Sequence, residues 1–431
     1  MRHTRWDEAT VTRRALLLGL AASAAVPLVG CGRTGEPSLV MADGVQRSQP
    51  AADAPIGPCV DGLTAFGHRI LEASAEPGHN FVASPLSLAV AFAMMRAGAG
   101  GQTATELDQL FGFPSNGRDS AFNAITQRLV TVDVPPVPDR RKREPGTPSK
   151  PPVVSIGNAL FPQKGQTIGI QFLRTLAAQY GAGVRPIDFA GGDSVKMINA
   201  WVDKQTAGRI KEVFDQLDAN TKLVLANTIY FKADWKEFFL YVADQPFTKP
   251  GGSVIQTPTM LRSGQLRYAE TDGIAAVEIP YAAGPYAMWL MLAPAVGKPE
   301  DALTPTAMGR LRAAFTMTQV DVAVPKWDFE TSIDLGKVLP DLGLRSVFSG
   351  AADFSAIAPG LFLAQAIHKA NITVDEWGTE AAAVTAGAMA TSGPPPAKAK
   401  FIADRPFAFA IVGGDDGIPM FTGRVSDPAA K

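Results

Sequence analysis

The chain has 431 residues but only two cysteines, Cys31 and Cys59. Two cysteines cannot build a disulfide framework, and no cysteine cluster is present that could hold zinc. Histidine is nearly as scarce, with His3, His68, His79 and His368. Neither a His-Glu-x-x-His pair nor a Gly-x-Ser-x-Gly elbow occurs, so the common metalloprotease and hydrolase signatures are missing. Net charge is -1, which removes any bulk electrostatic case for nucleic acid. Gly98 to Thr103 has the glycines of a phosphate loop, yet it follows a helix pattern and no Lys-Ser/Thr comes after it. A helix stop and a new start, with Thr103 as the cap, explains it better. No internal repeat stands out, and no cofactor or metal is expected.

Apolar residues are plentiful at 46%, enough for a large core. The first residues read as a targeting segment. Thr12-Arg13-Arg14-Ala15-Leu16-Leu17 is a twin-arginine pattern. The apolar run Ala15 to Val29 that follows is about fifteen residues, short for a membrane span and right for a signal core. Leu28-Val29-Gly30-Cys31 then resembles a bacterial lipobox, the other reading being an ordinary small-residue cleavage site. On the lipobox reading, residues 1–31 are a lipoprotein signal and Cys31 carries the lipid. Residues 32–57, rich in Gly, Ala, Ser and Pro, are a flexible tether, and 58–431 form the folded domain. The protein would then be exported and anchored on the outer face of the bacterial cytoplasmic membrane or cell envelope.

Helix and strand patterns alternate through the domain. Leu63, Phe66, Ile70 and Leu71 have helical spacing, and Ser84-Pro85 is a cap and first turn for the apolar run Leu88 to Met95. Val153 to Phe161 is a strand, while Ile168–Tyr180 and Ser194–Thr206 are helices. Leu223 to Phe231 is almost continuously apolar, as in a strand buried on both faces, with Asn227 its one amide. Later strands include 275–279, 287–292, 320–325 and 363–375, with a helix over 302–315. Residues 133–152 form a Pro-rich insertion carrying Asp139-Arg140-Arg141-Lys142-Arg143-Glu144, better read as a solvated loop than as a polyanion site.

The most informative stretch is 374–396. From Ala381 to Pro396 it has no charge and almost only small residues. Alternation puts Thr379, Ala381, Ala383, Thr385, Gly387 and Met389 on one strand face, where small side chains could slide between existing strands. A low-complexity Ala/Gly linker is the bland alternative.

The flanks carry a resemblance. His368-Lys369-Ala370, Val374-Asp375-Glu376, Gly378-Thr379-Glu380-Ala381-Ala382 and Asp404-Arg405-Pro406-Phe407 resemble the C-terminal quarter of the serpins, suicide inhibitors of serine and cysteine proteases. Upstream, Asn80-Phe81, Ser84-Pro85, Ser87, Ile198-Asn199, Trp201-Val202, Gly208-Arg209-Ile210, Asn227, Tyr230-Phe231-Lys232 and Trp235 match the same family, over roughly residues 58 to 428. Ala408 departs from it, standing where a larger apolar residue is usual.

The resemblance implies an α+β serpin fold with three β-sheets, about eight or nine helices and an exposed reactive-centre loop over 378–398. It implies a shutter of Ser84, Ser87, Asn227 and His368 under the main sheet, gating strand separation rather than catalysing anything. Trp235, Lys326 and Glu376 would form the breach at the top of that sheet, where insertion begins. The loop hinge would be Gly378, Thr379, Glu380, Ala381, Ala382, Ala383 and Val384. Counting sixteen residues on from Glu376 reaches Ser392, so Ser392–Gly393 is the expected scissile bond, with Thr391 or Met389 as alternatives. The expected partner is a serine protease of elastase-like or subtilisin-like type, or a cysteine protease. No nucleic acid partner is expected, the membrane is reached only through Cys31, and the protein would be a monomer and not an enzyme. The alternatives are a non-inhibitory serpin acting as carrier or structural protein, and an envelope lipoprotein of solute-binding type.

Overall fold

The computed structural model describes residues 36–136, 149–239, 241–379 and 396–431. Among these residues the α-helices are α1 (Ile56–Ser74), α2 (Pro85–Arg96), α3 (Gly101–Phe111), α4 (Arg118–Leu129), α5 (Ile170–Thr175), α6 (Ser194–Gln205), α7 (Pro305–Ala314) and α8 (Leu335–Asp341). The first seven strands are β1 (Phe81–Ala83), β2 (Val153–Pro162), β3 (Leu223–Asp234), β4 (Tyr241–Thr248), β5 (Val254–Thr271), β6 (Ile274–Pro280) and β7 (Tyr286–Leu292). The rest are β8 (Thr316–Pro325), β9 (Trp327–Asp334), β10 (Gln365–Asp375), β11 (Gly378–Thr379), β12 (Ala399–Ile402), β13 (Phe407–Gly413) and β14 (Ile418–Val425).

They form two hydrogen-bonded sheets where three were expected. One has nine strands in the order β1-β14-β13-β7-β6-β5-β8-β12, with β4 also on β5. The other has five, ordered β2-β3-β11-β10-β9. The count falls because β5 runs 18 residues without a break, pairing β4 and β8 along one part and β6 along another. A continuous ladder joins them into one sheet.

Helix α2 sits between the sheets, against β14 on one side and β2 and β3 on the other. Its sequence requires this position. Every residue from Pro85 to Met95 is buried, so the helix has no face to give to water. Ser84 caps it, its Oγ accepting the Ser87 N–H at 3.1 Å, and Pro85 starts the first turn. Strand β3 is buried on both faces as its apolar run implied, with α6 packed on the side away from α2. Strand β10 alternates: Ala366, His368, Ala370, Ile372 and Val374 point inward.

Two local expectations fail. Helix α3 starts at Gly101 with Gly100 as N-cap, not Thr103; the Thr103 hydroxyl instead accepts the Asp353 N–H at 3.0 Å, tying the helix to a distant turn. The helix expected over 302–315 is cut at Thr304, which caps α7 and precedes Pro305; a 3₁₀ turn, Pro299–Leu303, precedes the cut.

The tether is also corrected from Glu36 on. Residues 36–55 lie against the domain. Val40 and Val184 exchange backbone hydrogen bonds of 2.8 and 3.0 Å, which adds a rung beyond the β2 edge. Pro37 O accepts from Arg185 Nη1 at 2.7 Å, and Glu36 pairs with Lys204 at 2.7 Å. Arg47 Nε donates to Asn123 Oδ1 at 3.0 Å, and Ser48 O accepts from Asn123 Nδ2 at 3.0 Å, fastening the segment to α4. Composition hid this, because the anchoring bonds are made mostly by backbone atoms. Gly183 permits the contact: a Cβ there would stand 2.1 Å from Val40 O. Replacing it should therefore detach the segment without altering it. For Gly183→Ala the expected outcome is a fall of a few degrees in unfolding midpoint, about 1–3 kcal/mol for the lost backbone pair. New protease cleavage between residues 36 and 48 should accompany it, read by mass spectrometry.

Candidate functional site

The five-stranded sheet is split. Strands β3 and β10 run parallel and pair only from Gln365–Val224 to His368–Asn227. Beyond that rung they part. At the far end β11 lies between them, antiparallel to both: Thr379 is opposite Val374 and Ala233, and Gly378 opposite Asp375 and Asp234. Residues 369–373 of β10 and 228–232 of β3 thus flank a slit, closed below by a four-pair ladder ending at His368–Asn227 and wedged open above by two residues of the chain. A cavity of about 20 Å³ remains in it, lined by Tyr230, Phe231, Asn371, Thr379 and, from the segment after α6, Thr206 and Ile210.

The structure gathers all four residues of the expected shutter at the fork of this slit. His368 Nδ1 lies 2.8 Å from Asn227 Oδ1, and the Ser84 N–H donates to His368 Nε2 at 3.1 Å. A backbone N–H can only donate, so Nε2 is the acceptor and Nδ1 carries the proton. Burial lowers the imidazole pKa to about 3, which keeps this neutral tautomer. Asn227 Nδ2 then donates to Ser87 Oγ at 2.6 Å and Ser87 O at 2.8 Å, while Ser84 Oγ donates to Met420 O at 2.6 Å. Both sides of the fork, α2 and β14 are thereby joined in one buried network. Asn158 of β2, also bonded to Asn227 Nδ2, is a member the sequence did not mark.

The three residues expected at the breach lie at the top of the slit. Lys326 Nζ and Glu376 Oε2 are 2.5 Å apart. Trp235 does not touch that pair by hydrogen bond; its Nε1–H donates to Asp375 O at 2.9 Å. Hinge residues Gly378 and Thr379 are both buried. Only glycine fits at 378, since a Cβ would lie 2.2 Å from Ala233 O. Glu380, Ala381, Ala382, Ala383, Val384, Ser392, Gly393 and Cys31 lie outside the described residues, as does the core of the basic insertion.

Three further residues at this end of the slit were not singled out by the sequence reading. Tyr281, just past β6, places its hydroxyl 2.7 Å from Thr379 Oγ1 and its ring 4.6 Å from that of Trp235, nearly parallel. Trp377 at the hinge turn packs on Phe238, ring centroids 4.9 Å apart. Asp375 holds the turn itself, its Oδ1 accepting from Trp377 N at 2.8 Å and Gly378 N at 3.2 Å. Of these only Asp375 was legible in part, as an Asp two and three residues before the groups it caps.

Burial raises the Asp375 pKa to about 7, helped by nearby Glu376 and opposed by the two N–H donors. Its folded value stands above its unfolded one. Its contribution to stability is therefore fully present below about pH 3.8 and lost as pH rises through about 7. Asparagine keeps the accepting oxygen and cannot ionise. Asp375→Asn should stabilise the protein at pH 8, on the order of a few kcal/mol, with the advantage shrinking steadily towards pH 4. Unfolding midpoints of both proteins across that range test it.

The structure thus defines an α+β protein whose five-stranded sheet is split beside a two-residue wedge, over a neutral His–Asn pair. Comparison with known proteins supplies the family. Residues 61–428 match the family described as Serpin (serine protease inhibitor). A serpin-like protein of Thermococcus kodakarensis is 32% identical over 382 residues, covering 86% of each chain. Human neuroserpin is 32% identical over 81% of this chain and 86% of its own, and the bovine leukocyte elastase inhibitor 31% over 82% and 94%. Among solved structures, the native state of the thermophilic serpin tengpin has a TM-score of 0.78 at 23% identity, over 91% of this chain and 100% of its own. Thyroxine-binding globulin in complex with thyroxine follows at 0.72 and 26%, over 86% and 99%. The chain belongs to the serpin family.

Proposed function

We propose that this serpin is a suicide-substrate inhibitor of serine proteases with shallow pockets, elastase-like or subtilisin-like. A protease cuts the loop near Ser392–Gly393 and becomes acyl-linked to the residue before the cut. The freed loop then enters the five-stranded sheet and carries the protease with it. One observation carries this reading: the loop's first two residues already lie between β3 and β10, antiparallel to both.

Continuing that register sets residue 384 opposite Lys369 and Thr228, so 380–384 fill the slit without breaking an existing rung. Residue 385 meets the His368–Asn227 rung, and entry beyond it requires the fork to open. The shutter network is therefore the gate, and Ser84, Ser87, Asn227 and His368 its members. Inward positions in this register are Thr379, Ala381, Ala383, Thr385 and Gly387, all small, above a side of the sheet filled by α2. A charge or proline at 379, 381 or 383 would block entry, and none is there. Each new rung contributes about 1 kcal/mol net, while ordering the backbone costs about 1–2 kcal/mol per residue. Side-chain burial and closure of the slit must supply the remainder.

Incubation with a panel of serine proteases, read on an SDS gel, tests the proposal. A stable covalent complex is expected with elastase-like or subtilisin-like enzymes, together with a rise in unfolding temperature of the cut protein. Ser392→Arg should redirect inhibition towards trypsin-like proteases. Clipping without a complex or a gain in heat stability would favour the non-inhibitory carrier reading instead.

We also infer export and lipid anchoring through Cys31, supported by the twin-arginine and lipobox patterns. Expressed in a bacterium, Cys31→Ser should move the protein from the membrane fraction to the soluble fraction and abolish labelling by a radioactive fatty acid.

A further inference from the structure

The hinge contact between Tyr281 and Thr379 has no counterpart among the residues that the proposed mechanism uses. Both side chains are 3% exposed, and their hydroxyls are 2.7 Å apart across a sequence separation of 98. Neither hydroxyl makes another hydrogen bond among the described residues. Tyr281 is itself held rigidly. Trp235 stacks on its ring, Phe231 meets it edge-on at 5.0 Å, and its backbone N–H donates to Tyr286 O at 3.1 Å. Trp235 is fixed in turn by its bonds to Asp375 O and, through its own N–H, to Trp377 O at 2.9 Å. The phenol thus has a set position, held by groups that all precede Gly378 in the chain and not by Thr379 alone, and burial drives its pKa well above the ordinary range.

The physical consequence is asymmetric. With Thr379 in the sheet, both hydroxyls are satisfied. With Thr379 withdrawn, the Tyr281 hydroxyl loses its one partner among the described residues while its ring stays packed under Trp235 and Phe231, and a polar group left unpaired in such surroundings is disfavoured. The Thr379 hydroxyl loses nothing on withdrawal, because water replaces its partner. The contact therefore biases the hinge towards the inserted position by the cost of an orphaned phenol.

We propose that Tyr281 is a positioning residue for loop insertion: its hydroxyl latches Thr379 between β3 and β10, so that insertion starts from a wedge already seated. This rests on the inhibitory reading above. After acylation, insertion competes with hydrolysis of the acyl bond. The number of inhibitor molecules consumed per protease trapped exceeds one by the ratio of those two rates. A seated wedge removes the slow first step of pairing a strand on both sides at once. An unseated one lets hydrolysis win more often, and the serpin is spent as a substrate.

Tyr281→Phe removes one oxygen and keeps the ring that Trp235 and Phe231 pack on; Thr379→Val does the same from the other side. The first measurement needs no protease. Amide hydrogen exchange of the uncut protein should quicken about five- to tenfold at Gly378, Thr379 and Ala233 in either variant, with the rest of the sheet unchanged. The second is the stoichiometry of inhibition against a protease that the wild type traps. Its excess over one should rise about three- to tenfold in each variant, and the double variant should be no worse than the worse single one. Unchanged exchange overturns the latch. Quickened exchange with unchanged stoichiometry overturns its role in insertion, and so do single effects that multiply in the double variant. A wild type that traps no protease sinks the inhibitory reading instead, and leaves the exchange result to judge the contact by itself. Should Tyr281→Phe fail to fold, Thr379→Val provides both readouts.

Discussion

A single rung of a parallel ladder governs the rest of this structure. His368 and Asn227 form the last pair joining β3 to β10, and their side chains are the centre of a buried hydrogen-bond network. Parallel strands joined over only four pairs are weakly held by backbone alone. The side chains add what the ladder lacks, and they do so in one protonation state, because a second proton on the ring would displace the Ser84 N–H. Everything above the rung is a sheet pulled apart; everything below is closed. The network ties the fork to α2, which is buried along its length between the two sheets.

The other end of the slit is held by different physics. There the groups are aromatic and partly ionic: Trp235 on Tyr281, Trp377 on Phe238, and Lys326 with Glu376. A hairpin turn capped by Asp375 points the chain into the gap, with Gly378 allowing backbone to approach backbone. Burying Asp375 beside Glu376 disfavours its charged form. The sheet is thus closed by neutral hydrogen bonds below and propped by a buried, charge-bearing turn above.

Much of this was readable from residue patterns. The apolar run at β3 required burial on both faces, and its lone Asn227 required partners, which the network supplies. The alternation of β10 put His368 inward between two alanines, as found. Errors arose where a backbone or a distant side chain made the decisive bond. Thr103 has the chemistry of a cap but spends it on Asp353, 250 residues away. Residues 36–55 have the composition of a linker but bond mainly through main-chain atoms, which composition does not describe.

By itself the sequence determined the periodicities, the buried strand, the small-residue face of the loop and the motifs that gather His368, Asn227, Trp235 and Gly378 under one family. These follow from side-chain size and polarity along a line, which is what a sequence records. Only the tertiary structure decided where the ladder stops, that Thr379 is already seated in the gap, and that Tyr281 meets it. Those depend on register between strands far apart in the chain and on distances of a few tenths of an ångström. No residue carries that information until the sheets have packed around α2.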